Sequence, residues 1–332
     1  MQYATLGNTA IKVSRLCVGC MSFGERFEDF LQWTLDYEHS REIIAHALEL
    51  GVNFFDTANI YSHGTSEEFL GRALQDLKVK REDVVLASKV YFNEGHLSRA
   101  AILREIDGTL KRLKTDYLDL YQIHRFDFET PIEETMGALN ELIVAGKVRA
   151  IGASAMYGYQ FHNMQLAAER NGYAIFSTLQ NHYNLIYRED ERDLIPVARQ
   201  YNVSLVPYSP LASGHLCRAQ WDSGSERSKT DNVMHQKYDE YRDNNLLIVE
   251  RVNKLAEQKG VSMTEVALSW LLNRGVTAPI VGPSKLSHFD VAVKAVDLKL
   301  SEDELKFLEE PYKAHDVVGA LKGNIMFSNK SK

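Results

Sequence analysis

Phe54-Phe55-Asp56-Thr57-Ala58-Asn59-Ile60-Tyr61 runs an apolar strand straight into a carboxylate, with a phenol five residues later. Both the fold and the chemistry are read outward from this stretch. A short apolar run set among amphipathic helical segments is the pattern of a strand buried on both faces.

The same unit repeats along the chain. Strands are expected at 16–18, 53–56, 84–89, 118–124, 148–154, 176–180, 203–208 and 278–281. Helices are expected at 40–50, closed by Gly51, and at 66–77, 98–113, 132–145, 159–171, 189–201 and 286–296. A small hairpin, 3–6 with 11–13 about Gly7-Asn8-Thr9, precedes them, and a long polar loop, 213–245, follows the seventh strand. Helical segments at 246–260 and 262–272 lead to the last strand. An extra C-terminal helix, 301–309, opens on the capping-box pattern Ser301-Glu302-Asp303-Glu304.

Eight apolar strands, each followed by helix at intervals of roughly 30–40 residues, are what an α/β protein of the (β/α)8 TIM-barrel type requires. One barrel domain is expected over 1–318, with a mobile polar tail at 319–332. A doubly wound sheet competes, but no glycine-rich phosphate loop follows any strand.

Composition narrows the function classes. Of the 332 residues, 45% are apolar and 25% charged, as in soluble folded proteins. A net charge of −7 argues against a nucleic-acid partner. The longest apolar runs are strand-length, so no membrane span is expected. Met1-Gln2-Tyr3-Ala4-Thr5 has neither a basic start nor an apolar signal core, which reads as cytoplasmic. Cys17, Cys20 and Cys217 are too few for a disulfide framework. Cys17-Val18-Gly19-Cys20 has metal-site spacing but no second ligand pair, and it lies in a strand-like segment, so no metal is expected.

In a barrel the chemistry gathers where strands end. Asp56 closes the second strand, Lys89 the third and His124 the fourth, 33 and 35 residues apart, so their side chains rise on neighbouring strands. Tyr61 sits in the loop above Asp56. Taken singly, each has an ordinary structural explanation: an ion pair, a loop aromatic, a core histidine. Together they form a proton-donating site, in which Asp56 orients Lys89 and the ammonium is expected to draw the Tyr61 pKa down toward working pH. His124 aligns a substrate oxygen or relays a proton.

These residues resemble the aldo-keto reductase superfamily, as a bacterial-type member, over nearly the whole chain from Leu6-Gly7 to Pro311. Phe55 to Tyr61 with Gly71-Arg72-Ala73-Leu74 is similar to the family's aspartate-to-tyrosine signature, and Ser88-Lys89 and Gln122-Ile123-His124 to its lysine and histidine. The resemblance implies a (β/α)8 barrel reducing carbonyls with NADPH, NADP(H) being favoured over NAD(H), with Tyr61, Asp56, Lys89 and His124 catalytic. It also implies cofactor contacts. Gly152-Ala153-Ser154 and Gln180 match the segments that hold the nicotinamide amide, although Ala155 stands where asparagine is common. Tyr208-Ser209-Pro210-Leu211-Ala212-Ser213-Gly214 resembles the segment that stacks on the ring and receives the diphosphate, and Gly19-Cys20-Met21 the turn beneath the ribose, beside Asp56. Gly282, Ser284, Lys285 and His288 fall where the family meets the 2′-phosphate, with His288 and Val291 in place of the more usual groups.

The substrate is less marked. Met21, Phe23, Phe27, Phe30 and Trp33 are candidates for an apolar pocket, and Arg125 and Arg188 for a carboxylate or phosphate on the substrate, such as a sugar phosphate, with plain surface charges as the alternative. Two further functions stand beside carbonyl reduction: a nicotinamide-binding auxiliary subunit, and a barrel enzyme acting on phosphorylated sugars.

Overall fold

The structure, a computed structural model, describes residues 1–27, 32–222, 224 and 229–315; Phe30 and the tail from Gly319 lie outside them. An antiparallel hairpin, β1 (Tyr3–Thr5) with β2 (Lys12–Ser14), comes first. Eight parallel strands follow: β3 (Cys17–Gly19), β4 (Phe54–Asp56), β5 (Val85–Val90), β6 (Leu118–Ile123), β7 (Val148–Ser154), β8 (Phe176–Gln180), β9 (Ser204–Leu205) and β10 (Ile280–Val281). From β3 to β9 each pairs with its neighbour in chain order, and β10 returns to β3. The last seam is closed by backbone bonds of 2.9 Å from Thr277 and Ile280 N–H to the carbonyls of Leu205 and Pro207. With every edge paired, the sheet is the (β/α)8 barrel that the sequence leads one to expect.

Side-chain alternation divides the core in two. Phe54, Val85, Ala87, Leu120, Ala150, Val206 and Ile280 face the barrel axis. Phe55, Leu86, Tyr121 and Ile151 face the surrounding helices. A fully buried side chain of this size contributes roughly 1.5–3 kcal/mol, so the strands must be apolar on both faces. The hairpin joins the axial cluster through Leu6 and Val13. Its turn fits there only because Gly7, at φ +48°, has no Cβ: one would lie 2.3 Å from the Ser177 carbonyl oxygen.

Some boundaries differ from expectation. The first helix is Tyr37–Glu49, not 40–50, because the Asp36 side chain caps it by accepting from His39 N; Gly51, at φ +81°, follows its end as expected. The segment expected as one helix at 189–201 is a 3-10 turn, Glu189–Arg192, then a helix, Leu194–Gln200. Asp193 breaks it, its carboxylate being drawn to Gly158 N at 2.7 Å. The segment read as a polar loop, 213–245, contains helix Asn232–Tyr238, and helix Arg242–Lys259 begins inside it. Asp231 caps the shorter helix, and Met234 and Tyr238, four residues apart, are buried. Two apolar anchors among many polar neighbours leave a weak helical period. Among the described residues no helix is long and apolar enough to cross a membrane.

One ion pair between helices stands directly behind β5 where it carries Lys89. Fully buried Glu67, on helix Thr65–Asp76, accepts from Arg112 Nε at 2.6 Å and from Ser88 Oγ at 2.5 Å. Ser88 precedes Lys89 on β5. Removing the cation strands a buried carboxylate, so Arg112→Met is expected to cost roughly 3–5 kcal/mol of stability in urea unfolding, and Glu67→Gln added to it to recover most of that loss. Equal midpoints for wild type and R112M would show the pair to be neutral.

Candidate active site

Above the apolar layer of the barrel lies a polar one. Asp56 shares its face of β4 with Phe54, and Lys89 shares its face of β5 with Ala87, so both side chains enter the barrel at its carboxyl-terminal end. Lys89 is wholly buried and Asp56 2% exposed. Lys89 Nζ donates to Asp56 Oδ1 at 2.5 Å, to the Thr57 carbonyl at 2.7 Å and to the Tyr61 hydroxyl at 3.2 Å. The second carboxylate oxygen, Oδ2, accepts from Gln122 Nε2 and Gln180 Nε2, each at 2.9 Å. The Tyr61 and His124 rings meet edge to face at 5.8 Å. The four residues singled out from the sequence therefore converge.

Gln122 escaped assignment. Its signal was a polar residue two positions before His124, on the otherwise apolar axial face of its strand, where register pairs it with Lys89. Gln180, expected against the nicotinamide amide, spends its nitrogen on Asp56; among the described residues nothing donates to its Oε1.

The electrostatics differ from expectation at Tyr61. Burial raises its pKa above the ordinary phenol value, and this outweighs the lowering by Lys89. Burial pulls Lys89 the other way, but Asp56 and Tyr61 more than offset it and leave the ammonium harder to deprotonate than a free lysine. His124 is held well below the usual histidine range, by burial first and then by the charges of Lys89 and Arg125. It is thus a neutral imidazole at working pH, and its buried Nδ1 has no partner among the described residues.

The other residues expected at the site lie around this centre. Ser154 is buried and its hydroxyl has no partner among the described residues. Ala155 next to it sits at φ +42°, a left-handed backbone that asparagine tolerates better than alanine. The Tyr208 ring stacks on His182 at 5.2 Å, with planes 8° apart. Beyond it Ser209, Ala212, Ser213 and Gly214 all take positive φ, a tight turn that includes Pro210 and Leu211. The Cys20 carbonyl is fixed by Ser66 Oγ at 2.7 Å, and Ser22 Oγ reaches the Pro283 carbonyl at 3.1 Å, which brings Cys20 and Met21 toward Gly282, Ser284 and Lys285 across the β3–β10 seam. Gly282, Ser284, Lys285 and His288 are exposed. His288 Nδ1 accepts from Ser284 N at 3.3 Å; partial desolvation of its ring, which is open on one side, and the charge of Lys285 lower its pKa, so Lys285 is the cation of the group.

Other candidates resolve differently. Phe23 is core, fully buried, and not a pocket wall, because its strand-like bridge to Leu35 turns it inward. Phe27 packs edge-on against His63 at 4.6 Å. Cys17 and Cys20 are fully buried free thiols whose pKa values burial pushes up, which leaves them inert packing groups. Among the described residues no cluster of His, Cys, Asp or Glu could hold a metal.

The sequence itself matches the model of the aldo/keto reductase family over residues 15–313. The chain belongs to the aldo/keto reductase family. It is 40% identical over 338 residues to versiconal hemiacetal acetate reductase of Aspergillus parasiticus, covering 94% of this chain and 97% of that one. It is also 40% identical over 349 residues to an aldo-keto reductase of Metarhizium robertsii, covering 96% and 93%. A third relative, an aldo-keto reductase of Alternaria alternata, is 37% identical over 347 residues, covering 96% and 93%. All three come from fungi, not bacteria. This aldo/keto reductase is accordingly an oxidoreductase of a family that uses nicotinamide cofactors.

A second titrating group lies on the loop after β8. Asp190 accepts from Asn181 Nδ2 at 3.0 Å, and burial, with Asp193 and Glu189 nearby, pushes its pKa up to about 7. A carboxyl raised in the folded state stabilises the fold while protonated; that contribution is full below about pH 4 and is lost as pH rises through about 7. Asp190→Asn is therefore expected to melt higher than wild type at pH 8, by more than about 1.4 kcal/mol, the equivalent of one pKa unit. The advantage should vanish toward pH 4. A difference independent of pH in calorimetric scans would refute this.

Proposed function

We propose that the chain reduces aldehyde or ketone carbonyls with NADPH, and that Tyr61 gives the carbonyl oxygen its proton. The observation that carries this reading is one buried ammonium bonded to a carboxylate at 2.5 Å and to a phenol at 3.2 Å. A carbonyl that accepts hydride at carbon develops an alkoxide, which needs a proton and a positive field at the same point. Tyr61 supplies the proton, and Lys89, behind it, stabilises the phenolate left over. Neutral His124 beside Tyr61 orients the oxygen. Preorganised groups of this kind are worth roughly 3–4 kcal/mol each in the transition state. Asp56 acts through Lys89, holding it charged and in place.

When bound, the dihydronicotinamide supplies the hydride. The residues fit such a group. The unpartnered Ser154 hydroxyl and the free Gln180 Oε1 suit a carboxamide. Tyr208 offers a ring to stack against, and the left-handed turn at Ser209 to Gly214, with Pro210 and Leu211, suits a diphosphate. Cys20 and Met21, next to Asp56, would underlie the ribose. Gly282, Ser284 and the exposed cation Lys285, with His288 bracing Ser284 N, favour a 2′-phosphate and so NADPH over NADH.

Phe92, 43% exposed and edge-on to His124 at 5.0 Å, gives the substrate an apolar wall. A relative named as a reductase of versiconal hemiacetal acetate supports a small organic substrate. Three free cysteines are in keeping with work in the cytoplasm.

Tyr61→Phe is expected to lower kcat for 4-nitrobenzaldehyde by at least about 100-fold, with NADPH affinity, read by fluorescence quenching, changed by less than about 3-fold. Reduction by Y61F at the wild-type rate sinks the assignment. The pH profile tests the same idea independently. Tyr61 and Lys89 are both raised and must both keep their protons, while His124 is lowered and stays neutral. The kcat for reduction should therefore hold level from pH 6 to 9, within about 2-fold, and fall only at higher pH. A limb near pH 6.5 would make His124 the acid.

A further inference from the structure

Two arginines near the rim are separated by their surroundings. Arg188, after β8, donates to Glu191 at 3.0 and 2.8 Å, lies 3.6 Å from Glu309 and sits over the Trp270 ring. Its charge is answered and its task is to pack the C-terminal helix. Arg125 follows His124 directly and is half-buried. Its Nη1 donates to the His124 carbonyl at 2.7 Å, and its guanidinium carbon lies 5.7 Å from the Phe92 ring centre. Among the described residues no carboxylate stands within ion-pair distance of it.

Phe92 meets the His124 imidazole, and His124 meets Tyr61. One wall of the site thus runs from the proton donor through an open aromatic ring to an uncompensated cation. The field of that cation reaches Tyr61, His124 and Tyr208 alike. A guanidinium with part of its hydration removed and one of its N–H groups tied to a carbonyl still presents a fork that matches a planar oxyanion.

We propose that Arg125 is the residue that selects substrates carrying a carboxylate, with the apolar body between that group and the carbonyl lying against Phe92. The inference rests on the carbonyl-reduction reading and adds a substrate class to it.

The test compares 4-carboxybenzaldehyde with its neutral methyl ester, in wild type, Arg125→Met and Arg125→Lys. Wild type should prefer the acid in kcat/KM by roughly 10-fold or more, and R125M should lose that preference through KM with the ester changed by less than about 3-fold, as expected of a charge-assisted contact made in the ground state. R125K should recover part of it. Binding of 4-(hydroxymethyl)benzoate by calorimetry, weakened roughly 10-fold in R125M, reads the same contact without turnover. An acid-to-ester ratio near one in wild type, an equal loss on both substrates in R125M, unchanged benzoate binding, or a stronger Arg125-dependent preference for glyceraldehyde 3-phosphate would each overturn the proposal. Failure to reduce even the ester would count against the carbonyl reading instead, and the calorimetric arm would still decide on Arg125.

Discussion

A lysine ammonium with no solvent exposure must have its charge answered inside the protein, and here the barrel is built to answer it. The cost of desolvating such an ion is several kcal/mol. Asp56 faces Lys89 across adjacent strands at 2.5 Å, but a buried carboxylate has its own lone pairs to satisfy. Gln122 and Gln180, from two further strands, meet its second oxygen. The charge on Lys89 thereby draws four strands into a single network, and every member is fixed by closure of the sheet.

The same charge sets the chemistry around it. It lies within hydrogen-bond reach of Tyr61 and opposes, without cancelling, the rise that burial imposes on the phenol. It joins burial and Arg125 in keeping His124 neutral. One cation therefore separates the two candidate proton carriers: the phenol keeps a proton to give, and the imidazole has none to spare. Glu67 and Arg112 act from behind, through Ser88, to hold the strand that carries Lys89.

Much of this was legible in the sequence because strand spacing is itself a physical ruler. Asp56, Lys89 and His124 lie one β/α unit apart, and in a closed barrel that interval can only mean neighbouring strand ends. Apolar runs were readable for the same reason, since a strand buried on both faces is mostly apolar and takes a polar residue only where a partner answers it. What escaped depends on partners far apart in the chain. Nothing local in Gln122 or Gln180 announces that both turn to Asp56. Glu191, three residues on, answers most of the Arg188 charge, but nothing near Arg188 announces Glu309, which approaches it to 3.6 Å from the C-terminal helix. Phe23 looked like a loop aromatic and became core because a bridge to Leu35 turns it inward. The direction of the Tyr61 shift was missed because the sequence gives the neighbouring charge but not the depth of burial. Helix Asn232–Tyr238 was hidden by its polar composition.

The central claim is that Lys89 sits close enough to Tyr61 to govern its proton while burial keeps that proton in place. The most direct measurement is the ultraviolet titration of Tyr61, taken as the difference between wild type and Tyr61→Phe and repeated in the Lys89→Met background. Asp56→Asn/Lys89→Met serves as the folded control, because it leaves no unpaired buried carboxylate. The account predicts a phenol titrating above the ordinary value of 10 in the wild type, and higher still once the ammonium is gone. A Tyr61 pKa at or below 10, or one that does not move when Lys89 is replaced, would contradict it.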